Sequence, residues 1–189
     1  MVELQTDLGE IVVALDIDRA PRTAANFLRY VDQGLLDGTS FYRVVRSANQ
    51  PQNPVKIAVI QGGLGDEGEQ ESLPPIRMES TEETGLRHFD GVILMARLGP
   101  DTARGEFFIC VGDQPELDAG GRRNPDGFAF SAFGRVTEGM AVVHRIHQAP
   151  AEGQTLVPSV GIITAGRRGS VGRALQERPA PGRASAAVR

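Results

Sequence analysis

The sequence predicts a mainly β protein, an antiparallel barrel with helices covering its ends. Three observations support this fold class. Short β-prone segments recur as far as residue 165, only two segments have the apolar spacing of an amphipathic helix, and strands and helices do not alternate as in a parallel sheet. The 23 glycines and 12 prolines supply the many turns that such a fold requires.

The amino-terminal part of the chain predicts a hairpin, a helix and a third strand. Residues 2–6 and 10–15 are β-prone and are separated by a turn at 7–9. The stretch APRTAANFLRYVDQG predicts a helix, because proline suits its first turn, apolar residues follow the i, i+3, i+4, i+7 spacing, and Gly34 suits its end. The segment FYRVV, residues 41–45, predicts the next strand.

The rest of the chain continues the pattern of short strands. Residues 46–54 have the composition of a loop, and TEGMAVVHRIH predicts a second short helix with Met140, Val143 and Ile146 facing inward. Further strands are predicted at 55–61, 92–96, 107–111, 130–136 and 160–165.

Charge divides the chain into a body and a tail. Residues 167–189 contain six arginines and one glutamate, so the net charge of residues 1–166 is −9, whereas the whole chain carries −4. The segment 167–189 has little apolar surface to bury, and we expect it to be a disordered basic tail after one domain at 1–166. The acidic body argues against nucleic acid as the main partner.

Several kinds of site lack support in the sequence. Cys110 is the only cysteine, so an intramolecular disulfide is excluded. His144 and His147 have no accompanying ligands, and we expect neither a metal nor a cofactor. No run has the length of a membrane span, so no membrane partner is expected. The opening MVELQTDLGE has no signal-peptide features, which favours the cytoplasm, although a periplasmic location stays open if a leader was removed.

Arg43 is conspicuous because it interrupts an apolar strand. Strict alternation places it on one face with Phe41 and Val45. A guanidinium there needs a partner or a ligand, although it could also pack its stem and extend its head into water. One of Phe107 and Phe108 must face each side of its strand, so an apolar cup beside Arg43 could hold a proline ring next to a carbonyl group.

The order and spacing of FYRVV, IQGG, MARLGPDT, FFI and FGRV resemble the cyclophilin family of peptidyl-prolyl cis/trans isomerases, over roughly residues 2–165. The resemblance implies a closed eight-stranded antiparallel barrel with two capping helices. It also implies isomerisation of Xaa-Pro bonds in folding or unfolded protein clients, by a monomer. Because the barrier is amide resonance, the reaction needs no covalent step.

The resemblance further implies roles for individual residues. Arg43 matches the family's catalytic arginine, and Gln61 matches its active-site glutamine. Contacts with the substrate are implied for a larger set, in which the three phenylalanines and the leucine form the proline pocket: Phe41, Ala96, Arg97, Glu106, Phe107, Leu117 and Phe130.

The sequence departs from the family pattern around this site. Ala58 and Val59 replace a Phe-Met pair, Arg97 replaces asparagine, and Glu106 replaces glutamine. We expect Glu106 to pair with Arg97 rather than with Arg43, because both departures then have one explanation. Glu116 replaces the aromatic residue that contacts cyclosporin in typical members, so we expect weak binding of that drug.

Two interpretations of function remain open from the sequence. The first is an active isomerase that assists protein folding. The second is a non-catalytic cyclophilin-like module that binds proline-containing segments of its partners. The presence of Phe41, Arg43, Gln61 and Phe107 favours the first.

Overall fold

The computed structural model describes residues 1–65 and 72–168, in which nine antiparallel strands form one sheet. Around the sheet the order is β1-β2-β7-β5-β6-β4-β3-β9, and β1 also pairs with β9, which closes an eight-stranded barrel as predicted. The short β8 pairs only with β9, in a hairpin. The strands are β1 Val2–Thr6, β2 Gly9–Leu15, β3 Ser40–Val45, β4 Val59–Gly63, β5 Val92–Met95, β6 Phe107–Cys110, β7 Ser131–Glu138, β8 Ala151–Glu152 and β9 Thr155–Arg167.

Two helices pack against the barrel where the sequence predicts them. Helix α1, Pro21–Asp32, contacts β7 and β9, and its Phe27 ring lies 5.4 Å from that of Phe107. Helix α2 is a single turn, Thr81–Thr84, that was not predicted. Helix α3, Met140–Gln148, contacts β2, β3 and β4. None of the described helices has the length and apolar character needed to cross a membrane.

Strand β4 begins four residues later than predicted. Residues 55–58 do not join the sheet, although 55–61 is β-prone as a whole. The side-chain amide of Gln50 donates to the carbonyl of Ile57 at 2.6 Å, and the Asn53 side chain accepts from the Val55 amide at 2.9 Å. Because these side chains satisfy the backbone locally, this segment has less need of a neighbouring strand.

Strand β9 continues two residues beyond its predicted end at 165. Arg167 pairs with Val2 of β1, and its guanidinium forms a salt bridge with Asp32 at 2.8 Å. Arg168 pairs with Glu138. The first residue of the predicted tail, Arg167, therefore belongs to the barrel, and Arg168 contacts it, while residues 169–189 lie outside the described residues.

Two apolar clusters lie on opposite faces of the sheet. The interior cluster fills the barrel and includes Phe41, Val44 and Phe107. The second cluster, which we call the outer cluster, lies over β4, β5 and β6. It consists of Val45, Ile57, Val59, Leu94, Phe108, Cys110, Leu117 and Phe130.

Candidate active site

A register shift in β3 decides which side chains face the outer cluster. The shift lies between Phe41, which pairs with Gly62, and Arg43, which pairs with Gln61. Phe41 points into the barrel, and Arg43 lines a cavity beside the outer cluster. The prediction that Phe41 and Arg43 share a face is therefore wrong, because a bulge breaks the strict alternation on which it depends.

Neutral amide groups hold the Arg43 guanidinium. Its Nη1 donates to Gln61 Oε1 at 2.8 Å. Its Nε and Nη2 both donate to Gln154 Oε1, at 3.0 and 2.6 Å. Burial lowers the pKa of Arg43 from its usual value, but an arginine remains protonated in proteins. The result is a fixed, half-buried cation that is bonded to uncharged acceptors.

A chain of hydrogen bonds continues from Gln61 to Glu106. Gln61 Nε2 donates to the Tyr42 hydroxyl oxygen at 2.6 Å, and that hydroxyl donates to Glu106. The amide of Gly65 donates to the other oxygen of Glu106 at 2.7 Å. Since an ionised carboxylate only accepts hydrogen bonds, Glu106 sets the direction of the chain and turns the Gln61 oxygen towards Arg43.

The Arg97 side chain binds residues of a neighbouring loop rather than Glu106. It forms a salt bridge with Asp126 at 2.7 Å, and its Nη2 donates to the Phe128 carbonyl at 2.7 Å. Its guanidinium carbon lies 5.2 Å from the centre of the Phe130 ring. The predicted ion pair between Arg97 and Glu106 is therefore wrong. Arg97 has its own carboxylate partner, and its side chain is only 4% exposed.

A cavity of about 200 Å³ with an apolar floor lies beside Arg43. Its floor includes Phe108 and Phe130, whose rings meet edge to face with centres 5.6 Å apart. Leu117 reaches the cavity from a turn of 3₁₀ helix at Pro115–Leu117. The full lining is Arg43, Ile57, Val59, Arg97, Phe108, Leu117, Arg123, Asn124 and Phe130.

The cavity includes Phe108, whereas the sequence assigned Phe107. Phe108 pairs with Gln61 across β4 and β6, so the two side chains share the outer face of the sheet. Phe107 and Phe41 are both fully buried in the barrel, with ring centres 5.7 Å apart. The assignment of Phe41 and Phe107 to the proline pocket is therefore wrong, and both are core residues.

The turn that carries Leu117 is held in place by a buried pair, Asp118 and His88. Asp118 Oδ1 lies 2.7 Å from Nδ1 of His88 and accepts from the His88 amide at 3.1 Å. Burial alone would raise the pKa of Asp118, but these hydrogen bonds hold it below its usual value. This pair fixes the position of the neighbouring Leu117.

Residues that the sequence interpretation did not assign complete the site. Tyr42, Phe108, Gln154 and Arg123 all contact or line it. The Phe-Phe pair signalled that one ring must face outward, without saying which. Gln154 and Arg123 come from loops at 153–154 and 118–130. Nothing in those segments signals that Gln154 reaches Arg43 of β3 or that Arg123 reaches Gln50 and Val55.

A larger cavity of about 670 Å³ lies elsewhere on the barrel. It is lined by residues of β2, β7 and the segments 16–19 and 85–92, among them the exposed Ile17 and Phe89. It shares no residue with the cavity beside Arg43. Size alone would favour it, but the smaller cavity combines a fixed cation with an apolar floor, and we assign the site there.

Comparisons with known proteins agree with this geometry. A family model described as cyclophilin type peptidyl-prolyl cis-trans isomerase/CLD matches residues 1–167. A peptidyl-prolyl cis-trans isomerase of Streptomyces antibioticus is 39% identical over 148 residues, which cover 77% of this chain and 81% of the relative. Isomerase B of Escherichia coli is 32% identical over 147 residues, 77% of this chain and 83% of the relative.

A solved structure shows the same fold at lower identity. A cyclophilin of Cryptosporidium parvum, crystallised in the presence of the dipeptide Ala-Pro, superposes with a TM-score of 0.69 at 20% identity. The superposition covers 87% of this chain and 96% of the other. From the matched family model and the bacterial relatives, the chain belongs to the cyclophilin-type peptidyl-prolyl cis-trans isomerases.

Proposed function

We propose that the cavity beside Arg43 is where the protein isomerises Xaa-Pro bonds of polypeptide substrates, with Arg43 as the catalytic residue. The observation that carries this proposal is the fixed guanidinium beside a cavity with an apolar floor. Its contacts with Gln61 and Gln154 orient it without neutralising it. A charge held in this way needs no rearrangement during the reaction.

The chemistry follows from the nature of the barrier. Rotation about a peptide bond must overcome amide resonance, which costs about 18–20 kcal/mol. As the bond twists, the prolyl nitrogen regains a lone pair that can accept a hydrogen bond. Donation from Arg43 to that nitrogen stabilises the twisted state more than either planar isomer, which is the requirement for catalysis. The low-dielectric floor of the cavity strengthens this interaction.

Substrate binding is assigned to the cavity floor. Val59, Phe108, Leu117 and Phe130 present an apolar surface that suits a proline ring. Ala96 packs against the edge of the same cluster, where a flanking peptide group would lie. The Cryptosporidium relative, studied with Ala-Pro, supports a proline-containing ligand for this chain.

Catalysed exchange on a short Ala-Pro peptide tests the proposal directly. Two-dimensional NMR exchange spectroscopy resolves the cis and trans signals, and catalytic amounts of protein should make their interconversion fast on the measurement timescale. The uncatalysed reaction takes tens of seconds or more, so the background is negligible. Exchange at the uncatalysed rate would overturn the proposal and favour a module that only binds proline-containing segments.

A further inference from the structure

Three guanidinium groups line the cavity, and they differ in what compensates their charge. Arg97 pairs with Asp126 at 2.7 Å. Arg43 donates only to amide oxygens of Gln61 and Gln154. Among residues 1–65 and 72–168, neither Arg43 nor Arg123 lies within ion-pair distance of a carboxylate. The cavity therefore carries two positive charges that the described protein does not neutralise.

Arg123 is held in place rather than left to extend into solvent. Its Nη1 donates to Gln50 Oε1 at 2.9 Å and to the Val55 carbonyl at 2.8 Å. Its own amide donates to the Glu116 carbonyl at 3.1 Å. The pKa of Arg123 is lowered by burial and, in addition, by the positive charge of Arg43. Two like charges are thus held beside one cavity, which is unfavourable until an anion enters.

Charges of opposite sign lie on the two sides of Arg43. Lys56, which donates to the Gln50 carbonyl at 2.7 Å, adds a further cation on the Arg123 side. Glu106 does not line the cavity, and it is linked to Arg43 on the side of Gln61 and Tyr42. A substrate with an acidic side chain on one side of its proline would meet Arg123, and the same acid on the other side would approach Glu106.

We propose that this site selects Xaa-Pro segments that carry an acidic side chain next to the proline, on the side that faces Arg123, with Arg123 as the specificity-determining residue. The inference rests on the proposed function, since it places the proline ring in the cavity beside Arg43. Nε and Nη2 of Arg123 donate to no acceptor among residues 1–65 and 72–168, so they can receive the carboxylate, which then relieves the repulsion between the two arginines.

Two matched sets of blocked peptides test the proposal. In one set, Glu, Gln or Lys precedes the proline, and in the other the same residues follow it, with alanine elsewhere. We expect kcat/KM for the Glu peptide to exceed that for the Lys peptide by about fivefold in one set only, as for a partly exposed charge pair. The ratio should fall towards one as salt is raised. Ratios within about twofold of one in both sets would overturn the proposal.

Variants assign the preference to one residue. Arg123→Gln should bring the Glu-to-Lys ratio close to one, and Arg123→Lys, which keeps the charge, should retain most of it. Arg122→Gln is the matched control, because Arg122 is adjacent, is 77% exposed and already pairs with Glu116 at 2.6 Å. It should leave the ratio unchanged. A ratio that persists in Arg123→Gln, or disappears equally in Arg122→Gln, would exclude Arg123 as its source.

Failure of the isomerase proposal can be distinguished from failure of the proposed acidic preference. If the neutral Gln peptides show no catalysed exchange, the isomerase proposal fails whatever their charged counterparts do. The acidic preference can still be measured then, from dissociation constants of the same peptides in chemical-shift titrations. Tighter binding of a Glu peptide that Arg123→Gln removes would support the specificity proposal, and equal binding of all peptides would reject it.

Discussion

Gln154 receives two hydrogen bonds from Arg43 on a single side-chain oxygen, from Nε at 3.0 Å and from Nη2 at 2.6 Å. Gln154 is itself held in place by its backbone and by its side chain. Its carbonyl accepts from the Val44 amide at 2.9 Å, and its side-chain amide donates to the Asn49 carbonyl at 3.1 Å. The turn between β8 and β9 thus holds one edge of the guanidinium, while Gln61 holds Nη1.

Removing the Gln154 side chain should therefore slow turnover without weakening binding. We expect Gln154→Ala and the isosteric Gln154→Met each to lower kcat by about tenfold, or ~1.4 kcal/mol, because Arg43 loses its orientation. KM should change little, since the cavity floor is untouched. Gln148→Ala, on an exposed position of α3, serves as the control. A loss confined to KM, or none in either variant, would show that Gln154 does not position Arg43.

Arg43 itself should account for most of the catalysis. Arg43→Ala removes the donor to the prolyl nitrogen, and we expect kcat/KM to fall by the equivalent of about 2–4 kcal/mol in the barrier. Arg43→Lys should recover little, because an ammonium cannot donate to Gln61, Gln154 and the substrate in the same geometry. A protease-coupled assay on an Ala-Pro peptide measures both variants. Turnover at the wild-type rate in Arg43→Ala would exclude this mechanism.

The adjacent phenylalanines should separate activity from stability. Phe107→Ala leaves a cavity inside the barrel and should lower the free energy of unfolding by about 3–5 kcal/mol. Phe108→Ala removes part of the cavity floor, so it should raise KM more and destabilise less, as Phe108 retains 9% exposure. Denaturant titrations and steady-state kinetics on both variants make the comparison. If Phe107→Ala proved the more damaging to KM in protein that remains folded, the assignment of the floor would be wrong.

The contrast between these two residues shows how far the sequence can predict the site. Hydrophobic periodicity predicts the barrel, its helices and the general position of Arg43, because those features depend on local spacing. The faces of Phe41 and Phe107 could not be predicted, since the bulge in β3 and the pairing of Phe108 with Gln61 depend on contacts between distant strands. The same limit applies to Arg123, whose partners Gln50 and Val55 lie about 70 residues away.

Glu116 should make this protein a poor receptor for cyclosporin. It stands where typical members have an aromatic residue, and it forms a salt bridge with Arg122 at 2.6 Å. Hydrogen bonds from Arg122 hold the pKa of Glu116 below its usual value, so the carboxylate stays charged and resists desolvation by an apolar ligand. Inhibition titrations should give a Kd well above the nanomolar range, and Glu116→Trp should tighten it by at least about tenfold. Nanomolar inhibition of the wild type would contradict this expectation.

The hydrogen-bond chain from Glu106 to Arg43 predicts unequal effects for its members. The Tyr42 hydroxyl accepts from Gln61 and donates to Glu106, so Tyr42→Phe leaves both neighbours without that partner. The Gln61 amide can then rotate and present its nitrogen to Arg43, which would repel the guanidinium. We expect kcat/KM to fall by about fivefold, roughly the loss of one net hydrogen bond.

The loss of kcat/KM in Glu106→Gln should be smaller, because the new amide oxygen can still accept from the Tyr42 hydroxyl. An amide can also donate, however, so the direction of the hydrogen bonds is less strictly fixed than with a carboxylate. In the double variant Tyr42→Phe/Glu106→Gln, the activity should equal that of Tyr42→Phe alone, since Glu106 acts on Arg43 only through the hydroxyl. Measuring kcat/KM for the two single variants and the double variant completes the cycle. Losses that simply add would mean that Glu106 reaches the substrate independently, and the chain would then have no role in orienting Gln61.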